Sequence, residues 1–306
     1  MSFTVTLSAV VMMLLYAIPG YIVVRRKLIR PEAISAFAML LLYVGQPFQA
    51  IYAFQRLDYS TELVKLMVLS VLLSLTLMGA MLAVVYLILR KKQHDVRYRI
   101  CTMATCFGNC SFMGIPLLET LMPNYPEAVA FSTMFFLSMS LLSWSVGSAI
   151  ITRDSKYISL RKIFLNPAII SMVIAVGLYF ARIQLPSPLD EVSTQLSKMC
   201  TPLCMLILGM RLAMVPIKPI FTDRLQYAVA GVKLIAFPLL GLAVASLLPV
   251  AHEYVQAIYI LCCVPVANVV LSFSEMLGEG QETAANVVLL STLLSVVTMP
   301  IMLLII

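Results

Sequence analysis

The hydrophobic positions of this 306-residue chain run in about ten long blocks separated by short polar connections. A helix needs roughly 20 consecutive apolar residues to span the hydrocarbon of a bilayer. The blocks reach that length at 3–24, 33–54, 63–89, 100–121, 128–151, 163–181, 192–214, 225–248, 254–277 and 283–305. The pattern predicts an all-α polytopic membrane protein with about ten transmembrane helices. Two blocks are interrupted in the middle by helix breakers and an asparagine. They read Ile100-Cys-Thr-Met-Ala-Thr-Cys-Phe-Gly-Asn-Cys-Ser-Phe-Met-Gly-Ile-Pro116 and Leu261-Cys-Cys-Val-Pro-Val-Ala-Asn-Val-Val-Leu-Ser-Phe-Ser274. Backbone unwound at membrane depth persists only where protein, water or a ligand satisfies its amides and carbonyls. Two such breaks in corresponding places point to a transport site.

Composition removes the soluble alternative: 61% of residues are hydrophobic and 11% charged, with mean hydropathy +1.00. A net charge of +7 would suggest nucleic acid for a soluble chain, but here the placement of the charges decides. Arg25, Arg26, Lys27 and Arg30 follow the first block, and Arg90, Lys91, Lys92, Arg97 and Arg99 follow the third. Arg153, Lys156, Arg161 and Lys162 follow the fifth, and Arg211, Lys218 and Arg224 flank the connection after the seventh. Even-numbered connections hold only Arg56, Lys65, Arg182 and Lys198. The positive-inside rule therefore predicts odd connections in the cytoplasm and both termini outside. The ninth connection, with Glu275, Glu279 and Glu282, runs against this, but acidic residues weigh little in the rule. The first block lacks a basic leader, so it is expected to be a retained helix rather than a cleaved signal.

Ten blocks divide five and five, and an odd number per half turns the second half over in the membrane. The expected organisation is a first inverted repeat over 1–152, a short cytoplasmic linker over 153–162 and a second repeat over 163–306, with the broken helices fourth and ninth. Gln46-Pro-Phe-Gln-Ala-Ile-Tyr-Ala-Phe-Gln-Arg56-Leu57 and Thr201-Pro-Leu-Cys-Met-Leu-Ile-Leu-Gly-Met-Arg211-Leu212 keep Pro, Arg and Leu in register. Ser140-Leu-Leu-Ser143 and Thr292-Leu-Leu-Ser295 match in the fifth and tenth blocks.

In the fourth block Gly108, Gly114 and Pro116 disfavour continuous helix, leaving Asn109 and Ser111 beside an opened backbone. In the ninth, Pro265 opens the helix and Asn268 follows three residues on, with Ser272 and Ser274 beyond. Half-helix N-termini offer amides and partial positive charge to a carboxylate, while C-terminal carbonyls suit cations, so crossed half-helices favour a small anion. Interhelical glue is the plainer role for either asparagine alone. Lys233 lies roughly 13 Å along its helix from Arg224, close to mid-membrane. A charge there is either functional or snorkels to the interface. Glu62 and Lys65 form an i, i+3 pair, and Ser272 with Glu275 could supply oxygen ligands, so proton or sodium coupling through these residues is the sharper alternative to solvated charges. All seven cysteines fall within the blocks and are expected to be packing residues. The two histidines have no metal-ligand spacing, and no nucleophile, base or metal set points to an enzyme.

Asn109-Cys-Ser-Phe-Met-Gly-Ile-Pro-Leu-Leu118, Val264-Pro-Val-Ala-Asn268, Leu289-Leu-Ser-Thr-Leu-Leu-Ser295, Thr298-Met-Pro300 and Lys233-Leu-Ile-Ala-Phe-Pro238 together resemble the auxin efflux carrier family over essentially the whole chain. The resemblance implies two inverted five-helix repeats similar to the bile-acid and sodium–proton transporter architecture. It also implies helices four and nine crossing at their prolines, an elevator-like movement and often a homodimer. Plant members export an indole carboxylate; shorter bacterial relatives are associated with malonate, malate or lactate. The short central connection here resembles the bacterial type, and Thr61-Glu62-Leu-Val-Lys65 is similar to, but shifted from, the acidic–lysine element of the plant third helix. The expectation is a secondary transporter of small organic anions in the cytoplasmic membrane, without a cofactor. A sodium-coupled symporter of the same architecture and a non-translocating membrane sensor are the alternatives.

Overall fold

A computed structural model describes residues 3–153, 167–215 and 217–306, and all regular structure among them is helical. The helices are α1 (Phe3–Arg25), α2 (Ile34–Gln55), α3 (Thr61–Lys92), α4 (Val96–Ala104), α5 (Cys110–Leu121) and α6 (Glu127–Thr152) in the first part. They continue with α7 (Pro167–Phe180), α8 (Ser187–Leu212), α9 (Arg224–Ala245), α10 (His252–Cys263), α11 (Val269–Leu277) and α12 (Gln281–Ile305). A further short helix covers Ile217–Thr222. Helices α1, α2, α3, α6, α9 and α12 are long and apolar enough to cross a membrane, so the chain is a polytopic membrane protein. Helix α8 has 26 residues but carries Asp190, Glu191, Lys198 and Arg211, which lower its hydropathy. The connection 153–162 lies, beyond Arg153, outside the described residues, as do Asn166 and the start of the sixth hydrophobic block.

Prolines set the local geometry of the spans. Proline has no N–H and its ring crowds the carbonyl four residues earlier, which favours a widened or broken preceding turn. Three π-helical turns, Leu41–Gly45, Cys110–Gly114 and Val232–Ala236, end two residues before Pro47, Pro116 and Pro238. The carbonyl that Pro116 leaves without a helical partner belongs to Phe112, and Thr201 Oγ1 donates to it at 2.8 Å from α8. A local defect in one helix is thereby repaired by another, which also docks α5 against α8.

Helix packing relies on small residues and buried hydroxyls, since apolar surface alone gives little preference for a helix over lipid. Helices α1 and α8 touch backbone to backbone: a side chain at Gly20 would run into the Leu206 carbonyl and one at Gly209 into the Ala17 carbonyl. Cysteines fill other notches, with Cys200 Sγ over Gly45 and Cys262 Sγ over Gly241. All seven cysteines are free and buried, as packing residues should be. Ser74 Oγ donates to Ser138 Oγ at 2.6 Å between α3 and α6, and Ser70 meets the Tyr254 hydroxyl at 3.0 Å between α3 and α10. Helices α1, α2, α7 and α8 pack among themselves, while α3 packs on α6 and α9 on α10.

On the α3–α4 connection, the Asp95 carboxylate accepts from Arg97 N and caps α4. The Arg97 guanidinium beside it holds its carboxyl below the usual range. Arg99 is buried and donates to the Ile151 carbonyl, which ties α4 to the end of α6.

Candidate functional site

The two interruptions in the hydrophobic pattern are real breaks, and each satisfies the other. Helix α4 stops at Ala104 and α5 begins at Cys110; α10 stops at Cys263 and α11 begins at Val269. Between them, Asn109 N donates to the Pro265 carbonyl at 2.8 Å and Ala267 N to the Phe107 carbonyl at 2.9 Å. Gly108 and Val266 thus face each other as one antiparallel bridge. Val266 N donates to Ser291 Oγ of α12 at 3.2 Å. This answers how irregular backbone survives at membrane depth.

Local sequence explains where each break falls. Val264, immediately before Pro265, is extended at φ −63° and ψ 146°, as the clash with a following proline ring demands. In the first break the essential residue is Gly108, because a Cβ there would lie 2.8 Å from Val264 Cγ2 and 3.1 Å from Lys233 Nζ. Pro116 is not at the crossing: it sits within α5, where it widens the turn that holds Gly114. The expectation that both breaks centre on prolines is corrected in this half. An N–H is needed where Asn109 meets Pro265, and close approach is needed at Gly108.

Lys233 is fully buried, and its Nζ donates to the Cys262 carbonyl at 2.8 Å and sits 4.7 Å from the Phe237 ring centroid. Cys262 is in the last turn of α10, where carbonyls lack helical donors and carry partial negative charge. The ammonium therefore complements a helix end created by the break, and it has no ion-pair partner among the described residues. It does not snorkel to an interface.

On the other side of the crossing is a cavity of about 310 Å³. Asn109, Ser111, Asn268, Ser272, Arg211 and Glu275 line it, together with Gln46 and the apolar faces of Phe112, Phe136 and Trp144. Lys233 is not in its wall. Asn268 Nδ2 donates to Cys204 Sγ at 3.4 Å. Gln46 Nε2 donates to Ser111 Oγ at 3.0 Å, and Ser111 Oγ donates to Gln49 Oε1 at 2.8 Å. Arg211 Nη1 donates to Glu275 Oε1 at 2.6 Å. A second cavity of about 250 Å³ is lined by Gln49, Tyr52, Pro116, Glu119, Lys198 and Thr201 among others. The Ser111–Gln49 and Thr201–Phe112 bonds join residues of the two linings.

The structure thus gathers Gly108, Asn109, Ser111, Pro265 and Asn268, and adds Ser272 and Glu275 at the cavity mouth. Glu62 and Lys65 pair at 3.6 Å, each 71% exposed, away from the cavity; such a pair contributes little. Glu275 is engaged by Arg211, and Ser272 Oγ donates to the Asn268 carbonyl at 3.3 Å. Sequence reasoning missed Arg211, Cys204 and Gln46. The internal match of Gln46–Arg56 with Thr201–Arg211 aligns their segments without revealing that they face the breaks.

The sequence profile described as Membrane transport protein matches the chain over residues 5–159 and again over 148–303. A protein of Rhizobium meliloti (strain 1021) described as "Putative malonate transporter" is 28% identical over 209 residues, which are 64% of this chain and 63% of that protein.

Proposed function

Because the chain belongs to the membrane transport protein family, the auxin efflux carriers that its broken-helix motifs resemble, we propose that it is a secondary carrier of small organic anions, mono- or dicarboxylates. The observation that carries this reading is the cavity beside the two breaks, with the Asn109 and Asn268 amides and the Arg211 guanidinium in its wall. Amides and a guanidinium are the donors a carboxylate requires. The aromatic wall suits a short carbon chain, and the relative described as a malonate transporter is in keeping with a small dicarboxylate.

The architecture we propose is two inverted five-helix repeats, 1–152 and 163–306, working as an elevator. Helices α1, α2, α7 and α8 form the fixed scaffold, and the crossing with α3–α6 and α9–α12 moves against it. The bonds from Gln46, Gln49, Cys204, Thr201 and Arg211 to the crossing side all join these two groups. Alternating access would have to exchange them, which gives each a reason to be weak and polar rather than a packed apolar contact.

A thermal-shift screen of lactate, malonate, malate and succinate on purified protein tests the reading, since a ligand that binds the folded state stabilises it by RT ln(1 + [L]/Kd). At least one carboxylate is expected to raise the transition and to show saturable flux in proteoliposomes. Absence of both for all four would remove the carboxylate assignment. We place the protein in the cytoplasmic membrane with both termini outside. Because the native cysteines are buried, Asp58→Cys should react with an impermeant thiol reagent on intact cells and Lys91→Cys should not. The reverse pattern would invert the orientation.

A further inference from the structure

Among the described residues, Arg211 and Glu275 are the only charged ones in the lining of the crossing cavity, and they differ in how firmly they are held. The Arg211 side chain is 15% exposed and that of Glu275 is 47% exposed. The pair is also lopsided: Nη1 to Oε1 is 2.6 Å, whereas Nη2 to Oε2 is 3.5 Å. Arg211 Nε is buried with no hydrogen-bond partner among the described residues. The guanidinium is therefore the inner, fixed member of the pair and makes one good bond out of five available N–H donors. Its partner stands half in solvent and can leave with little loss of hydration.

We propose that Arg211 is the carboxylate-recognising group of this cavity and that Glu275 is its displaceable internal counter-ion, a carboxylate of the protein occupying the place the substrate carboxylate takes. The inference rests on the carrier reading above and sharpens it by assigning the anion to a residue other than Lys233. Physical chemistry favours the exchange. A buried arginine without a counter-charge is costly, so the empty cavity needs an internal carboxylate. A guanidinium fork holds a free carboxylate bidentately, which the loose second contact to Glu275 does not achieve. Helix α8 carries Arg211 and α11 carries Glu275, so a substrate that displaces Glu275 also removes a link between the two helix groups. Recognition is thereby joined to release of the moving part. The remaining polar wall, Asn109, Asn268, Ser111 and Gln46, then faces the rest of the substrate.

The test uses full-length protein and whichever of lactate, malonate, malate and succinate stabilises the wild type most. Arg211→Gln should raise Kd about ten-fold or more, as loss of a charge-assisted hydrogen bond implies. Glu275→Gln should lower Kd, because the competitor is gone. In the Arg211→Gln background, Glu275→Gln should leave Kd unchanged. Arg211→Lys should fall between wild type and Arg211→Gln, since it keeps the charge but not the fork. Unchanged Kd in folded Arg211→Gln overturns the proposal, as does a Glu275→Gln variant that binds more weakly than wild type. If Arg211→Gln fails to fold, Glu275→Gln and Arg211→Lys still decide it. Loss of all carboxylate binding in the wild type would instead defeat the carrier reading itself, which separates the two failures.

Discussion

Asn109→Ala and Asn268→Ala should each reduce carboxylate flux about a hundred-fold, a loss of roughly 2.7 kcal/mol in the transport step, while both proteins stay folded. The crossing is held by main-chain atoms: it is the Asn109 N–H, not its side chain, that donates to the Pro265 carbonyl. An alanine keeps that bond. Asn268 opens α11 without capping it by its side chain, so removing the amide leaves the helix start as it was. What each substitution deletes is a donor and an acceptor in the cavity wall; Asn268→Ala also removes a weak contact to Cys204. A thiol contact of 3.4 Å is readily given up for a carboxylate oxygen, so the Asn268 amide is available to a substrate in a way that a strongly bonded amide is not. Uptake into proteoliposomes, with thermal unfolding of the same preparations as the control, reads the effect. Wild-type flux in both folded variants would return the asparagines to the role of interhelical glue.

Lys233→Met is expected to lower thermal stability as well as transport, even with no substrate present. The ammonium is the partner of the Cys262 carbonyl at 2.8 Å, and a buried carbonyl left unsatisfied costs about 1–3 kcal/mol. The charge that complements the C-terminal end of α10 is lost at the same time. Lys233→Arg should not restore the wild type, because its planar, larger head is not equivalent to the ammonium and must fit a fully buried site, where overpacking costs about 1–3 kcal/mol. Unfolding of the ligand-free proteins decides the matter. If Lys233→Met melts like the wild type yet no longer binds the anion, the lysine serves the substrate directly, as its mid-membrane position first suggests. On the proposed reading the two cations differ: Lys233 supports the crossing from behind and Arg211 receives the anion in front.

Hydropathy along the chain locates the long apolar spans, because a helix in lipid must be apolar along its whole length. The two breaks are visible in Gly108, Asn109, Pro265 and Asn268, because glycine and proline have strong local consequences whatever surrounds them. Burial of every cysteine follows from their placement within the apolar blocks. Pro116 shows the limit of that logic: a proline announces a perturbed turn, but whether the turn breaks or merely widens depends on what receives the freed carbonyl. Here Thr201, from a helix far along the chain, receives the Phe112 oxygen.

The roles of the charges are not legible for the same reason. From its position alone Lys233 reads equally as an anion site or an interfacial anchor, and Arg211 reads as one more basic residue of a cytoplasmic connection. Hydropathy and helix-breaking are properties of short stretches of chain, so the membrane class, the long spans and the two interruptions can be read off the order of residues. Which carbonyl Lys233 meets, which carboxylate Arg211 holds and which side chains face the cavity depend on how helices distant in sequence pack and rotate against one another. Those facts emerge from the packed molecule, because a charge in a low-dielectric interior takes its function from its nearest partner.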